Sequence, residues 1–342
     1  GGRSFGIPGS GQRMSEPVSS TRRRILLISD IHYASDLECA RGDYESRTVS
    51  QPLLRYFLKV YRRLIWRRDP FAMNGLLDAF IDAESSADLC LGLGDYSCDS
   101  AFIGVADHAA FQSARLCLSQ LRRQHGSRFV GIIGDHDLGK KSMFGGVGGM
   151  DLASYDRCLS ELRLSSLFYR SLGRVHLIGM NSSLITLPSF EVDCDPDQLS
   201  SWYALREAHL EDLQACIQKI PEGERLLFFL HDPSALPFLS AFPWIRRCFS
   251  RLDGTWVGHL HAPCIFELSH YLSGMPVIDC VGTAVHKMSQ ALHARHLWKP
   301  FKVHLVPAPG GIERCPQGGY GELWVDPEGL QAPVYSIKSL TD

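Results

Sequence analysis

Aspartate and histidine recur in five short groups along this chain: Asp30-Ile31-His32, Gly94-Asp95, Gly134-Asp135-His136-Asp137, His231 and Gly258-His259-Leu260-His261. Carboxylate and imidazole together are the ligand set for Zn2+, Mn2+ or Fe. A glycine beside a ligand lets the backbone turn tightly towards an ion. Three carboxylates and four or five imidazoles exceed what one ion takes. They suffice for two ions sharing a bridging carboxylate, an arrangement that clamps a phosphoryl group and generates a hydroxide nucleophile. Asp-x-His alone is a chance-level pattern, and Gly-Asp alone is usually a turn. The information lies in the order of the five groups and in what precedes each.

Each group follows a predicted strand. Residues 25–29, ILLIS, form a short apolar run ending at Asp30, and similar runs recur at 89–93, 129–133, 175–180, 226–230, 255–257 and 276–281. Helical periods lie between them; in 106–124, Phe111, Ala114, Leu118 and Leu121 repeat every three to four residues. Alternation of this kind predicts an α/β domain whose strands are buried on both faces. Sites in open α/β sheets assemble beyond the carboxyl ends of strands, so all five groups can face one crevice.

The set resembles the calcineurin-like metallophosphoesterase superfamily, whose pattern runs D-x-H, G-D, G-N-H-(D/E), H, G-H-x-H. The likeness spans residues 24–261, with further strands to about 325. It implies a four-layer α/β/β/α sandwich, with two mixed sheets and a dinuclear metal site at the strand C-terminal rim. It further implies Asp30, His32 and His261 on one ion, Asp95 bridging, and Asp135, His231 and His259 on the other, the ions being Mn2+, Fe2+/Fe3+ or Zn2+. His136 resembles the histidine that binds a phosphoryl oxygen and protonates the leaving alcohol. The implied activity is a phosphoric ester hydrolase: in-line attack of a metal-bound hydroxide on a phosphodiester, pyrophosphate or phosphomonoester. A fold kept as a non-catalytic interaction scaffold is the alternative.

One position departs from the pattern: Asp135 stands where the family has asparagine. The extra negative charge either favours a trivalent ion and disfavours highly charged monoesters, or is a tolerated ligand swap. On the first reading diesters and pyrophosphates are preferred. Asp137 is expected to orient His136 or a ligand imidazole. Asp99 is read as a loop aspartate, and Asp232 has no assigned role. His108, His125, His176, His209 and His270 are read as structural or exposed.

Two segments interrupt the alternation. The domain, 24–325, carries a cap-like insertion at 36–74 whose residues 51–68 read as a basic amphipathic helix. Phe57, Leu58, Val60, Tyr61, Leu64 and Ile65 gather on one side, with Arg55, Lys59, Arg62 and Arg63 on the other. Either Leu54, Phe57, Tyr61 and Leu64 pack on the domain, or the helix lies on an anionic membrane surface with Tyr61 and Trp66 at the interface. In the latter case the substrate is a phospholipid or lipid pyrophosphate. The second segment, 138–150, is glycine-rich, and its Lys140 and Lys141 are candidate contacts to a small phosphorylated substrate.

The remainder bounds the answer. A formal net charge of -2 in 342 residues supplies no field for nucleic acid, and no apolar run reaches the roughly 20 residues of a membrane span. Eleven cysteines without a Cys-x-x-Cys pair, with Cys90, Cys117, Cys216 and Cys280 in apolar segments, read as reduced buried thiols. The expected location is therefore cytoplasmic, with the helix allowing a peripheral membrane association. Residues 1–23 read as a disordered leader or tag remnant, and 326–342 as a tail without chemistry.

Overall fold

The computed structural model describes residues 22–42, 44–66, 68–84, 86–98, 104–142, 146–278 and 283–340. In the first of two five-stranded sheets, β1 (Arg23–Ile28), β2 (Leu89–Gly92) and β3 (Phe129–Gly131) run parallel. β9 (Tyr320–Val325) pairs antiparallel with β1, and β10 (Val334–Lys338) pairs antiparallel with β9 at the edge. In the second sheet β4 (Leu167–Leu172) is antiparallel to β5 (Val175–Met180). Beyond β5 lie β6 (Arg225–Leu230), β7 (Leu252–Val257) and β8 (Val303–Leu305), all parallel to it.

Strand periodicity divides the core. Successive side chains point to opposite faces, so Ile25 and Leu27 of β1 join Leu89 and Leu91 in a cluster with Leu177, Leu227, Phe229 and Trp256 of the other sheet. The alternate residues Leu26, Ile28 and Cys90 pack instead on Phe80, Phe111, Ala114, Leu118 and Leu121. These come from helices Met73–Ala83 and His108–His125. On the far side, Ile178, Leu226, Phe228 and Leu230 meet Leu210, Leu213 and Ile217 of helix Leu199–Gln218. The result is the four-layer sandwich expected from the resemblance. Helix His108–His125 begins where Asp107 Oδ1 accepts from the Ala109 and Ala110 amides, both at 3.0 Å.

The structure revises several boundaries. β4 and β8 have no counterpart among the predicted runs, and β10 lies in the segment read as a tail. The predicted strand at 276–281 is irregular in its described part, 276–278, and β8 takes the place beside β7. Cys90 and Cys117 are buried, Cys216 half-buried, and no described cysteine is in a disulfide. Cys280, Asp99 and residues 1–21 lie outside the described residues. No described helix is long and apolar enough to cross a membrane.

The insertion is a series of short helices: Asp36–Arg41, Tyr44–Thr48, Pro52–Tyr61, and a wide π-helical turn at Arg62–Trp66. Its first helix buries Glu38, whose Oε2 accepts from the Cys98 amide at 3.1 Å. Burial pushes this carboxyl up to about 7, although hydrogen bonds from Ser113 and Cys98 pull the other way. A carboxyl with a raised folded-state pKa binds its proton more tightly folded than unfolded, so its charging costs stability as pH climbs from about 4.5 through 7. Glu38→Gln should therefore gain on the parent by about 2–3 kcal/mol between pH 5 and pH 8 in urea denaturation. Parallel stability curves for the two proteins would refute this.

Candidate metal centre

The carboxyl ends of β1, β2, β3, β6 and β7 converge at one rim, and the five Asp/His groups meet there. Asp95, Asp135, His231 and His259 form one cluster of potential ligand atoms, and Asp30, His32 and His261 form a second; atoms within each lie within 4.8 Å of one another. His231 Nε2 stands 3.1 Å from both Asp95 Oδ2 and Asp135 Oδ1, and 4.0 Å from Asp30 Oδ1, so the two clusters abut. His261 Nε2 is 3.3 Å from Asp30 Oδ1, and His259 Nδ1 is 3.4 Å from Asp135 Oδ1. All seven sequence-predicted ligands are thus brought together.

Backbone geometry makes the convergence. Asp30, His32, Asp95, His259 and His261 all have φ between 48° and 65°, the left-handed region that costs a non-glycine residue about 1 kcal/mol or more. Strand pairing continues past the ends of β1 and β2 to hold these turns: the Asp30 amide donates to Gly94 O at 3.1 Å and the His32 amide to Asp95 O at 3.0 Å. Gly134 and Gly258 allow close approach. A Cβ on Gly134 would lie 2.2 Å from Asp95 Oδ1, and one on Gly258 would lie 1.9 Å from Ser29 Oγ.

The donor atoms suit metal ions. His32 Nδ1 faces Ser97 O at 3.1 Å and His231 Nδ1 faces Leu93 O at 2.9 Å. Donation of the Nδ1 protons to these carbonyls leaves each Nε2 as the ligand atom. Asp30 Oδ1 and Asp95 Oδ2 are buried and accept no well-aligned hydrogen bond. Three carboxylates buried together need cations. For Asp95 and Asp135, burial opposes ionisation. His231 nevertheless holds the Asp95 carboxyl below its ordinary range, and Lys140, His259 and His231 hold Asp135 well below it. Burial raises the Asp30 carboxyl, with His231 pulling it down and Asp95 pushing it up. Burial likewise opposes protonation of His231, and Asp95 and Asp30 overcome it, raising its pKa. The residues therefore fit two metal ions.

Around the ligands the structure corrects and extends the sequence reading. His136 is half-buried, its ring edge-on to His32 with centroids 5.4 Å apart, and its amide donates to Asp95 Oδ1 at 3.0 Å. Asp137 binds backbone amides of the candidate ligand turns. Its Oδ2 accepts from the Asp95 and Gly134 amides at 3.0 and 2.9 Å, and its Oδ1 from the Tyr96 amide at 3.1 Å, fastening two ligand turns together. Asp232, unassigned in the sequence, lies 3.9 Å from His259 Nε2, on the side away from Asp135. Lys140 Nζ pairs with Asp135 Oδ2 at 2.8 Å, whereas the Lys141 ammonium donates to Val192 O. Trp66 packs edge-on to His261 with ring centroids 4.6 Å apart, a contact that only the three-dimensional path of the insertion reveals. His176 is absorbed by Tyr169 and Glu224, and His209 faces Ser166, so both are structural as expected.

Metal analysis after equilibrium dialysis against Mn2+ should find about two ions per chain in the parent and about one in Asp30→Asn or His32→Ala. Fewer than one ion in the parent would refute the assignment.

No protein-family model and no curated protein matches the chain. Among solved structures, a dimetal phosphatase from Danio rerio superposes over 94% of this chain and 97% of its own, with 12% sequence identity and a TM-score of 0.53. A phosphopantetheinyl hydrolase from Mycobacterium tuberculosis is similar over 71% of this chain and 84% of its own, with 12% identity and a TM-score of 0.34. The chain shares the fold of the dimetal phosphatase, and its buried Asp/His cluster fits a dinuclear site.

Proposed function

We propose that the chain is a metal-dependent hydrolase of phosphoric esters or anhydrides. The observation that carries this reading is the pair of abutting Asp/His clusters with His136 at their edge. Asp30, His32 and His261 would hold one ion, Asp135, His231 and His259 the other, with Asp95 shared. Bound ions would supply Lewis-acid stabilisation of phosphoryl charge and lower the pKa of a water. The chain's own residues do the rest. Asp137 fixes the turns that set the spacing of Asp95 and Asp135. Ser97 and Leu93 carbonyls fix the tautomers of His32 and His231. His136, beside His32 and partly open to solvent, binds a phosphoryl oxygen and passes a proton to the leaving oxygen.

The test is hydrolysis of bis-p-nitrophenyl phosphate and p-nitrophenyl phosphate by Mn2+-loaded protein. His136→Ala should keep its metal and lose turnover by about 10²–10⁴-fold, the range for general acid catalysis. Bound ions without turnover on either substrate would instead assign the chain as an interaction scaffold.

A specific observation favours the membrane-surface reading of residues 51–68. The expected packing face is only partly buried: Leu58 is buried and Leu54 and Tyr61 half-buried, while Phe57 and Leu64 are exposed. Leu53, Tyr56 and Ile65 join them, Leu53 at 79% and Tyr56 at 68% exposure. Lys59, Arg63 and Arg68 are also exposed in this stretch. An apolar surface ringed by cations matches an anionic bilayer. Vesicles containing phosphatidylserine should float the protein at low salt, and Leu53→Ser combined with Tyr56→Ser should abolish flotation. Failure of the parent to float would refute it.

A further inference from the structure

The Lys140–Asp135 ion pair has no counterpart in the pattern D-x-H, G-D, G-N-H-(D/E), H, G-H-x-H, in which a neutral amide occupies position 135. Asparagine there would leave two carboxylates among the ligands. Asp135 makes three, and Lys140 returns the local sum to that of the amide. The cation comes from the turn that follows helix Asp135–Leu138, so the carboxylate and its counter-charge share one short loop. The partners differ in exposure: the Asp135 side chain is 5% exposed and the Lys140 side chain 31%, so the lysine, unlike the carboxylate it pairs with, reaches solvent along part of its length. Asp95 and Asp232 add their fields to hold it there.

We propose that Asp135 and Lys140 act as one unit: together they replace the neutral amide ligand, and the outward face of the Lys140 ammonium is a phosphate-binding cation. The inference rests on the dinuclear reading above and deepens it. It also removes the charge argument against monoesters, because the carboxylate is not an uncompensated negative charge. A lysine at this position reaches a phosphoryl oxygen as a point charge, with three donors and no fixed fork. One donor can stay on Asp135 while another turns to the substrate.

Three variants test it, Lys140→Met, Asp135→Asn and their combination, with Lys140→Arg as the conservative control. Two readouts are independent of turnover. The first is binding of inorganic phosphate to Mn2+-loaded protein by calorimetry. Lys140→Met should weaken it about tenfold, as expected for a lost charge-assisted contact. Asp135→Asn should bind phosphate at least as tightly as the parent. The double variant should bind more weakly than Asp135→Asn alone, because it restores the amide's charge without restoring the lysine contact. The second is thermal unfolding of metal-free protein. Lys140→Met should lower Tm by stranding a buried carboxylate, and adding Asp135→Asn should recover most of the loss.

Unchanged phosphate affinity in Lys140→Met, with Lys140→Arg equal to it, would overturn the phosphate role. A double variant no more stable than Lys140→Met would overturn the charge unit. A parent that binds no Mn2+ would instead refute the dinuclear reading, while the Tm series would still decide on the ion pair.

Discussion

The structure depends on holding an L-residue backbone in the left-handed region at the ends of three strands. Among the described residues, seven non-glycine positions have positive φ, and Asp30, His32, Asp95, His259 and His261 are five of them. Each turn carries a conformational cost that the surrounding structure must offset. Two layers of support offset it. Below the rim, the alternate faces of β1 and β6 are locked into separate cores, so the strand ends cannot retreat. At the rim, the hydrogen bonds are mutual: His259 N donates to Asp30 Oδ2 at 2.9 Å, Gly258 N to His231 O at 3.0 Å, and Ala308 N to His261 O at 2.9 Å. The first of these ties a ligand carboxylate of one sheet to the backbone of the other. Strain is thus stored where ions would repay it.

Asp137 shows how the same economy works without a metal contact. Three amides from two chain segments converge on one buried carboxylate. Burial and the nearby charge of Asp95 push its pKa up while those amides pull it down. In the sequence it is the fourth letter of Gly134-Asp135-His136-Asp137 and reads like one more reactive acid. Only the fold shows that it ties the amides of Asp95 and Tyr96 to that of Gly134.

That difference marks what was legible in the sequence. Ligands are legible because they are terminal: each follows an apolar run, and the type and order of residues survive without coordinates. The central parallel strands are legible for the same reason, being buried on both faces. Three of the four edge strands are not. β4 alternates half-buried, buried and exposed residues (LFYRSL), β8 is only three residues long, and β10 is mostly exposed, so none presents a continuous apolar run. The run at 276–281 has the composition of a strand, but its described part, 276–278, is irregular, and β8 pairs with β7. Contacts between distant segments are equally silent in one sequence. The Asp232–His259 approach and the Trp66–His261 packing each join residues that no local period relates.

The two clusters also differ in what borders them. Beside Asp135 stands the Lys140 ammonium; beside His261 stands the Trp66 ring. Trp66 is delivered by the π-helical turn Arg62–Trp66, a wide turn of the kind that recurs at functional sites. That turn is fastened by Glu313 N donating to Trp66 O at 2.7 Å and by packing of Trp66 with Ala262, Ile312 and Cys315. The exposed apolar residues of Pro52–Tyr61 therefore lead directly, along one continuous segment, to an aromatic ring in contact with a ligand histidine. The space between the clusters is thus bordered by the Lys140 ammonium towards Asp135 and by the Trp66 ring towards His261, a charged side and an aromatic side reached from two different insertions of the chain.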